Sequence, residues 1–572
     1  MFWKRRKKIQ QNSLISPEEI LLDASNLPSY DPNSLEGRLI TPIGPKALRP
    51  LIFLVVLAGL IVAGRTGQLM LMNGEHYKDL SERNRLGHTR IFAERGIIYD
   101  RNGNELAWNV PHYEDGVYEV FHERSYASTT GSGHVLGYVR MPARDRSGVL
   151  FREGIEGVSG VELSFDSVLK GKDGIKIVET DARMDTVSTS ILEEPTPGQA
   201  LHLSIDIRLQ EALNEKIKAL ADEIPFRGGA GIFMDVETGE ILAMTSYPEY
   251  KPSALIEGNA ELIAEYNSYS RTPYLNRTLA GQYTPGSIVK PFLAASALDA
   301  GIVTPDTSFI STGALRLANP YNPGQYSVFN DWRAHGVVNL KTAIAFSSNV
   351  YFYYIGGGFG TQEGLGIARI EEYMSKFGFG STTGISLHGE RSGIIPSPAW
   401  KEETFPTDPV WRIGNTYHTA IGQYGFQLTP LQAVRALAAL ANGGTLITPR
   451  IETTYTPYSE TTVDVPDKYL AFARAGMREA VIHERGTARG LNVSYVDVAG
   501  KTGTAEIGAR KDYVHSWVMG FYPYDEPKYA FVVLMEYGPV KNLFGGTYVM
   551  RQFLDWMRDN TPEYVLFEEE TE

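Results

Sequence analysis

The chain has no cysteine. That excludes disulfides, thiolate metal sites and a cysteine nucleophile, and it leaves the redox compartment open. Net positive charge is lacking too. The formal charge is -13 at pH 7, which argues against nucleic acid as the main partner. No internal repeat stands out, and no histidine has neighbours at metal-ligand spacing. Neither a solenoid nor a bound metal or other cofactor is expected.

Long apolar runs are scarce. One stands out, Leu51–Gly64 (LIFLVVLAGLIVAG), flanked by Arg49-Pro50 and Arg65. It is shorter than the ~20 residues a bilayer span needs. A snorkelling Arg65 lets it extend through Leu69–Met72. The expectation is a transmembrane signal-anchor helix over 49–72. A cleaved signal peptide seldom starts so far in, and no small-x-small cleavage site follows closely. Residues 1–49 carry 8 Lys and Arg against 5 Asp and Glu, sharpest at Lys4-Arg5-Arg6-Lys7-Lys8, leaving 46 against 62 beyond. That asymmetry puts the N-terminus in the cytoplasm and the rest outside the cytoplasmic membrane. Residues 1–48 read as a basic, largely flexible tail.

At 572 residues, with 43% hydrophobic and 21% charged, the remainder is globular and holds more than one domain. Residues 73–90 look helical. Asn102-Gly103 between two short apolar runs predicts a hairpin. Residues 110–200 alternate strand-like runs with Gly-rich turns. Leu209, Leu213, Ile217 and Leu220 recur at helical spacing behind Asp206, a good N-cap. Gly231–Asp235 and Glu240–Met244 bracket the turn Glu237-Thr238-Gly239 and open a large domain. Near the end, Tyr495–Thr504, His515–Tyr522 and Tyr529–Tyr537 read as successive strands, and Gly546–Asp559 as a closing helix. Glu568-Glu569-Glu570 with Glu572 reads as a solvated acidic end. The mixture is α+β.

The chemistry starts at Thr284-Pro285-Gly286-Ser287-Ile288-Val289-Lys290. Pro-Gly makes a turn, Ser287 can open the following helix, and Lys290 shares a helix face with it. A serine hydroxyl needs a base within hydrogen-bond reach. Lysine serves only when neutral, which burial or a second cation can arrange. Ser-x-x-Lys alone is weak: Ser167 and Lys170 also fit, in a polar, turn-rich stretch where a solvated surface pair is the plain reading. Ser287 differs in its company. Downstream stand Ser347-Ser348-Asn349 and then Lys501-Thr502-Gly503-Thr504, and Lys-Thr-Gly occurs once in the chain. Ser347 can relay a proton to a leaving amine, and Asn349 can hold Lys290. Lys501, Thr502, Gly503 and Thr504 form a substrate-binding strand edge on which Gly503 permits close approach. The N–H groups of Ser287 and Thr504 form the expected oxyanion hole. His515 reads as a structural histidine. The 32 tyrosines and 24 phenylalanines read as core packing.

Serine-x-x-lysine, serine-x-asparagine and lysine-threonine-glycine, in that order, are shared by penicillin-binding proteins and class A β-lactamases. From residue 49 on, the chain resembles the class B penicillin-binding proteins, most of all the elongation type. Tyr283–Phe292, Trp411-Arg-Ile-Gly-Asn415, Ile421-Gly-Gln423, Thr429-Pro-Leu-Gln432, Gly486-Thr-Ala488, Arg95–Gly103 and Gly157-Val-Ser-Gly-Val-Glu162 resemble its recurring blocks. The resemblance implies a penicillin-binding transpeptidase, serine β-lactamase-like domain at 226–560 on a β-rich, dimerisation-type pedestal at 73–225, followed by an acidic tail at 561–572. It implies acylation by a peptidoglycan stem peptide ending in D-Ala-D-Ala, resolution by a neighbouring amine, and blockade by β-lactams. It also implies a membrane-embedded SEDS glycan polymerase as partner. The chain departs in three places. Only 108–133 is left for a head subdomain, Asn415 replaces an expected aspartate, and Pro248-Glu-Tyr-Lys-Pro252 replaces Pro-Ser-Tyr-Asp-Pro. A β-lactam-hydrolysing or β-lactam-sensing protein and a non-catalytic scaffold are the alternatives.

Overall fold

The computed structural model describes residues 45–78, 86–114, 117–144, 150–152, 154–180, 186–319, 322, 324–453, 460–508, 510–542 and 544–567. Most of the basic tail (1–44) and the acidic end at 568–572 lie outside the described residues. The chain divides into two units, Met1–His88 with Ile177–Ser190, and Thr89–Lys176 with Ile191–Glu572.

The first unit holds helix α1, Pro45–Leu71. Its stretch Leu48–Leu71 is long and apolar enough to cross a membrane, and none of it is buried against protein. At 1.5 Å per residue, its 24 residues run about 36 Å, enough for a hydrocarbon core of about 30 Å. The helix continues unbroken past Arg65, whose guanidinium donates to Gln68 Oε1 at 2.8 Å. The helix expected over 73–90 ends early. Residues 74–78 are helical, but Leu86–Ile91 is a strand, in one sheet with Gly174–Thr180 and Thr186–Glu193. Ladder pairing outweighs the local helical pattern there.

In the second unit, β1 (Ile98–Tyr99), β2 (Glu105–Glu114), β3 (Val117–Tyr126) and β4 (Leu201–His202) form a sheet of order β4-β1-β2-β3. The Asn102-Gly103 hairpin is present. Buried Asp100 organises it by accepting from the backbone N–H groups of Asn102 and Asn104, both at 2.8 Å. The β2–β3 hairpin occupies most of the short 108–133 stretch.

Two sequence-distant blocks meet beneath it. Arg95 Nε donates to Glu162 Oε2 at 2.6 Å and Arg124 Nε to Glu162 Oε1 at 2.7 Å, with all three side chains out of solvent. Burial alone would raise the Glu162 carboxyl. The two guanidiniums outweigh it and hold the group below its ordinary range.

Helix α2 (Ile207–Glu223) starts where Asp206 accepts from Arg208 N at 3.0 Å, the expected N-cap. It joins the smaller sheet region to the larger one. Gln210 donates to Gly131 O at 2.5 Å and Met244 O at 2.7 Å, and Glu249 accepts from the N–H groups of Gly131 and Gly133. Glu249, with Lys251, is where this block departs from the expected Pro-Ser-Tyr-Asp-Pro.

The large sheet holds β5 (Gly228–Asp235), β6 (Ile241–Tyr247), β7 (Ala499–Ile507), β8 (Tyr513–Tyr522) and β9 (Tyr529–Pro539). Its order is β6-β5-β9-β8-β7, antiparallel throughout. Phe531–Met535 is buried without interruption because β9 is central and covered on both faces. Helices α2 and α7 (Gly546–Asn560) cover one face. Helices α5 (Pro430–Ala441) and α6 (Asp467–Ile482) cover the other. Between these elements in the chain lie α3 (Lys290–Asp299) and α4 (Asn349–Gly357). Thr429 and Gln432 cap α5 reciprocally, with Pro430 as its first residue, which accounts for the Thr-Pro-Leu-Gln block. The strand expected from Tyr495 begins at Ala499 instead. Tyr495 turns its hydroxyl to Asp555 Oδ1 at 2.9 Å, and pairing with β8 sets the strand's limits. Past α7, Tyr564 and Val565 are buried, and the Tyr564 hydroxyl bonds Asp206 Oδ2 at 3.0 Å.

Replacing Glu162 by Ala leaves the buried Arg124 guanidinium without a carboxylate and Arg95 with only Asp166, at 2.8 Å. Denaturant unfolding of the detergent-solubilised full chain should show a loss of about 3 kcal/mol, the cost of breaking a buried ionic group on one side.

Candidate active site

Ser287 does not open α3. It lies in the 3-10 turn Gly286–Val289, and α3 begins at Lys290, whose backbone N–H bonds Ser287 O. In a 3-10 turn, side chains three residues apart eclipse. Ser287 and Lys290 therefore project to one side, as the helical reading expected by a different route. Gly286, with φ +58°, donates to Gly422 O at 2.9 Å. A Cβ on Gly286 would stand 3.0 Å from Thr504 O. The Ser287 turn is thus pinned between the Ile421-Gly-Gln423 block and β7.

Lys290 is fully buried, and its amine faces the second motif. Nζ donates to Ser347 O at 2.8 Å, to Asn349 Oδ1 at 2.8 Å and to Ser347 Oγ at 3.3 Å. None of these three bonds goes to Ser287. The Phe352 ring centroid lies 5.4 Å from Nζ. Burial pulls the Lys290 amine down to about 7, against the opposing pull of Asp331. The amine therefore gives up its proton near neutrality.

Lys501 comes from β7, an edge strand of the large sheet. It too is fully buried, and its Nζ donates to Ser347 Oγ at 3.0 Å and Thr502 O at 2.8 Å. Burial and then the neighbouring Lys290 charge push its amine far down. One hydroxyl, Ser347 Oγ, thus lies between two buried amines, and their titrations are coupled. Ser347 adopts a left-handed backbone with φ +58°, which a serine tolerates at a cost of about 1 kcal/mol or more.

Gly503 explains how β7 comes so near. A Cβ there would stand 2.8 Å from Pro285 O and 2.8 Å from Ile288 Cγ2. Only glycine lets the strand lie against the serine turn. Thr502 is half-buried and Thr504 exposed. The outer edge of β7 is free among the described strands to meet an extended chain.

The remaining sequence candidates separate cleanly. Ser167, inside the one-turn helix Asp166–Leu169, and Lys170, just after it, are both exposed, the solvated pair their setting suggested. His515 is buried between Tyr283 and Tyr537, accepts from Tyr537 N at 3.3 Å, and burial brings its imidazole down to about 4. Asn415 caps the helix Ile413–Thr419 by accepting from Arg412 N at 2.8 Å. Among the described residues, no group of three or more His, Asp or Glu could hold a metal ion.

One residue escaped the sequence reading. Asp331 has a fully buried carboxylate that accepts from Asn349 N, Val350 N, Ser348 Oγ, Ser311 Oγ and Trp332 N, at 2.8–3.1 Å. It belongs to no motif. Its only local signal is a turn-forming aspartate before a tryptophan.

Comparison with known proteins identifies the family of the chain. Residues 229–556 match the penicillin binding protein transpeptidase domain and residues 116–203 the penicillin-binding protein dimerisation domain. The chain is 29% identical to the peptidoglycan D,D-transpeptidase MrdA of Acinetobacter baumannii over 581 residues, covering 85% of this chain and 84% of that protein. The crystal structure of Pseudomonas aeruginosa PBP2 in complex with WCK 5153 is 30% identical, with a TM-score of 0.68, covering 85% of this chain and 100% of that one. The complex between PBP2 and MreC from Helicobacter pylori contains a chain 27% identical, with a TM-score of 0.68, covering 83% and 99%. A structure describing coordination of polymerization and crosslinking by a peptidoglycan synthase complex contains one 28% identical, with a TM-score of 0.67, covering 89% and 97%. With more than half its length matched to the transpeptidase domain, the chain belongs to the penicillin-binding protein transpeptidase family.

Proposed function

We propose that this chain is a peptidoglycan D,D-transpeptidase working through a Ser287 acyl-enzyme. The observation that carries the reading is Ser347 Oγ held between the amines of Lys290 and Lys501, at 3.3 and 3.0 Å, beside the serine turn. Neutral Lys290 takes the proton from Ser287 Oγ as that oxygen attacks the carbonyl of a D-Ala-D-Ala bond. The bond from amine to hydroxyl forms as substrate closes the site, since catalytic hydrogen bonds commonly tighten only in the complex. The N–H groups of Ser287 and Thr504 carry the oxyanion. The proton returns through Ser347 to the departing D-Ala nitrogen as the C–N bond breaks. An acceptor amine then attacks the ester carbonyl and loses its proton to Lys290, which passes it to Ser287 Oγ as the ester C–O bond breaks and the new amide is released. Lys501, with Thr502 and Thr504, holds the terminal carboxylate, and the stem peptide lies along the open edge of β7. A β-lactam acylates Ser287 by the same steps.

The matched regions support the assignment of 226–560 as the transpeptidase domain and 73–225 as its pedestal. Helix α1 is the single-pass anchor, and the basic end places the N-terminus in the cytoplasm and the catalytic domain outside. A relative that acts within a peptidoglycan synthase complex supports a membrane glycan polymerase as partner.

Fluorescent penicillin should label the wild-type chain. Ser287→Ala should abolish the label, Ser167→Ala should leave it unchanged, and peptide mapping by mass spectrometry should place the adduct on Ser287. An adduct elsewhere overturns the assignment, and no adduct at all returns the scaffold reading. Because burial lowers the Lys290 amine to about 7, the base is charged and idle below that pH. The acylation rate should therefore rise with pH up to about 7 and level off above it. Gly503→Ala should slow acylation about 100-fold while the protein stays folded, as expected when a site is displaced by about an ångström.

A further inference from the structure

We infer that Asp331 is a positioning residue of the acylation site. It holds the Ser347–Asn349 segment in place and supplies the negative charge opposite the Lys290–Lys501 amine pair. The inference rests on the Ser287 acylation reading and adds to it a residue outside all three motifs.

The geometry comes first. Asn349 N and Val350 N belong to the first turn of α4, and Ser348 is its N-cap. Asp331 takes both amides, at 2.9 and 3.0 Å, and the Ser348 hydroxyl at 2.8 Å. It thereby does the work of an external helix cap, where an anion is favoured. The residue just before this clamp is Ser347, with its left-handed backbone. A strained serine keeps one position only if its neighbours over-determine it. Asn349, gripped at its amide by Asp331, receives Lys290 on its side-chain oxygen. Releasing Asp331 frees Ser347 and Asn349 together, and with them all three acceptors of the Lys290 amine.

Charge comes second. Two amines and one carboxylate are buried here. Two ammonium groups sharing one hydroxyl repel each other, so charging both at once is disfavoured. The charged or titratable groups around the centre can be named. Lys501 faces Lys290 from β7, and Asp331 faces it from the loop after the strand Tyr326–Asn330. His335 Nε2 lies 3.5 Å from Asp331 Oδ1, Tyr353 of α4 places its hydroxyl on Asn330 O at 3.0 Å, and Arg333 stands further out, stacked on Trp332 with 4.3 Å to the ring. Asp331 is the carboxylate among them, and it favours the protonated form of Lys290.

The test is the pH profile of penicillin acylation by the full chain in detergent, with thermal unfolding followed in parallel. Asp331→Asn removes the charge. Lys290 then loses its proton more readily, so the acidic limb should move to lower pH by about one unit. The plateau should fall about 100-fold as the clamp loosens. Asp331→Glu keeps the charge but displaces it. Its limb should stay at the wild-type pH while its plateau falls. A folded Asp331→Asn protein with an unmoved limb, whatever its melting temperature, overturns the electrostatic role. An unchanged plateau in both variants overturns the positioning role. If Asp331→Asn fails to fold, Ser348→Ala decides the clamp: removing one donor should lower the plateau about fivefold, and a wild-type rate refutes it. Failure of the Ser287 reading would show separately, as a wild-type adduct on another residue.

Discussion

Two buried lysine amines sharing one serine oxygen form the constraint on which this molecule turns. Burial makes each ammonium expensive, and the neighbouring amine makes a second charge more so. That is how a lysine, ordinarily charged, comes to hold its proton only loosely near neutrality. The arrangement needs Lys290 from the start of α3, Ser347 from before α4 and Lys501 from the edge strand β7 to converge without water between them.

Much of the surrounding fold keeps those three segments close. Gly503 and Gly286 are contact surfaces: where β7 meets the serine turn there is no room for a methyl group. Gly422 closes the turn from the other side through its bond with Gly286. The capping box at Thr429 and Gln432 sets the start of α5, which packs under the central strand β9. The recurring blocks are thus largely places where backbone approaches backbone or where a helix start is specified. Few of them touch the reaction directly.

The smaller sheet region is held by another kind of interaction. Glu162, together with Asp166 on Arg95, neutralises the buried guanidiniums of Arg95 and Arg124. Such a group is worth little relative to an apolar core, but it specifies a single arrangement, because any misalignment strands a charge. Helix α2 and Glu249 carry that order to the large sheet through bonds to Gly131, Gly133 and Met244.

Motif order, the anchor segment, the two hairpins, the Asp206 cap and the closing helix were legible in the residues. Each rests on a short-range rule: apolar run length, turn chemistry, helical period or fixed spacing. Spacing also singled out Lys290, Ser347, Asn349 and Lys501, whose side chains meet in one buried network next to the Ser287 turn. Their geometry did not follow from spacing. That Ser287 sits in a 3-10 turn, that Lys290 turns toward Ser347 and Asn349, and that β7 starts at Ala499 depend on contacts between segments far apart in the chain. Asp331 is the clearest case. Nothing near it in sequence distinguishes it from an ordinary turn aspartate, because its five donors come from three separate stretches of the chain, at Ser311, Trp332 and Ser348–Val350. Only tertiary packing gathers them, since a carboxylate can be buried only where enough donors meet it.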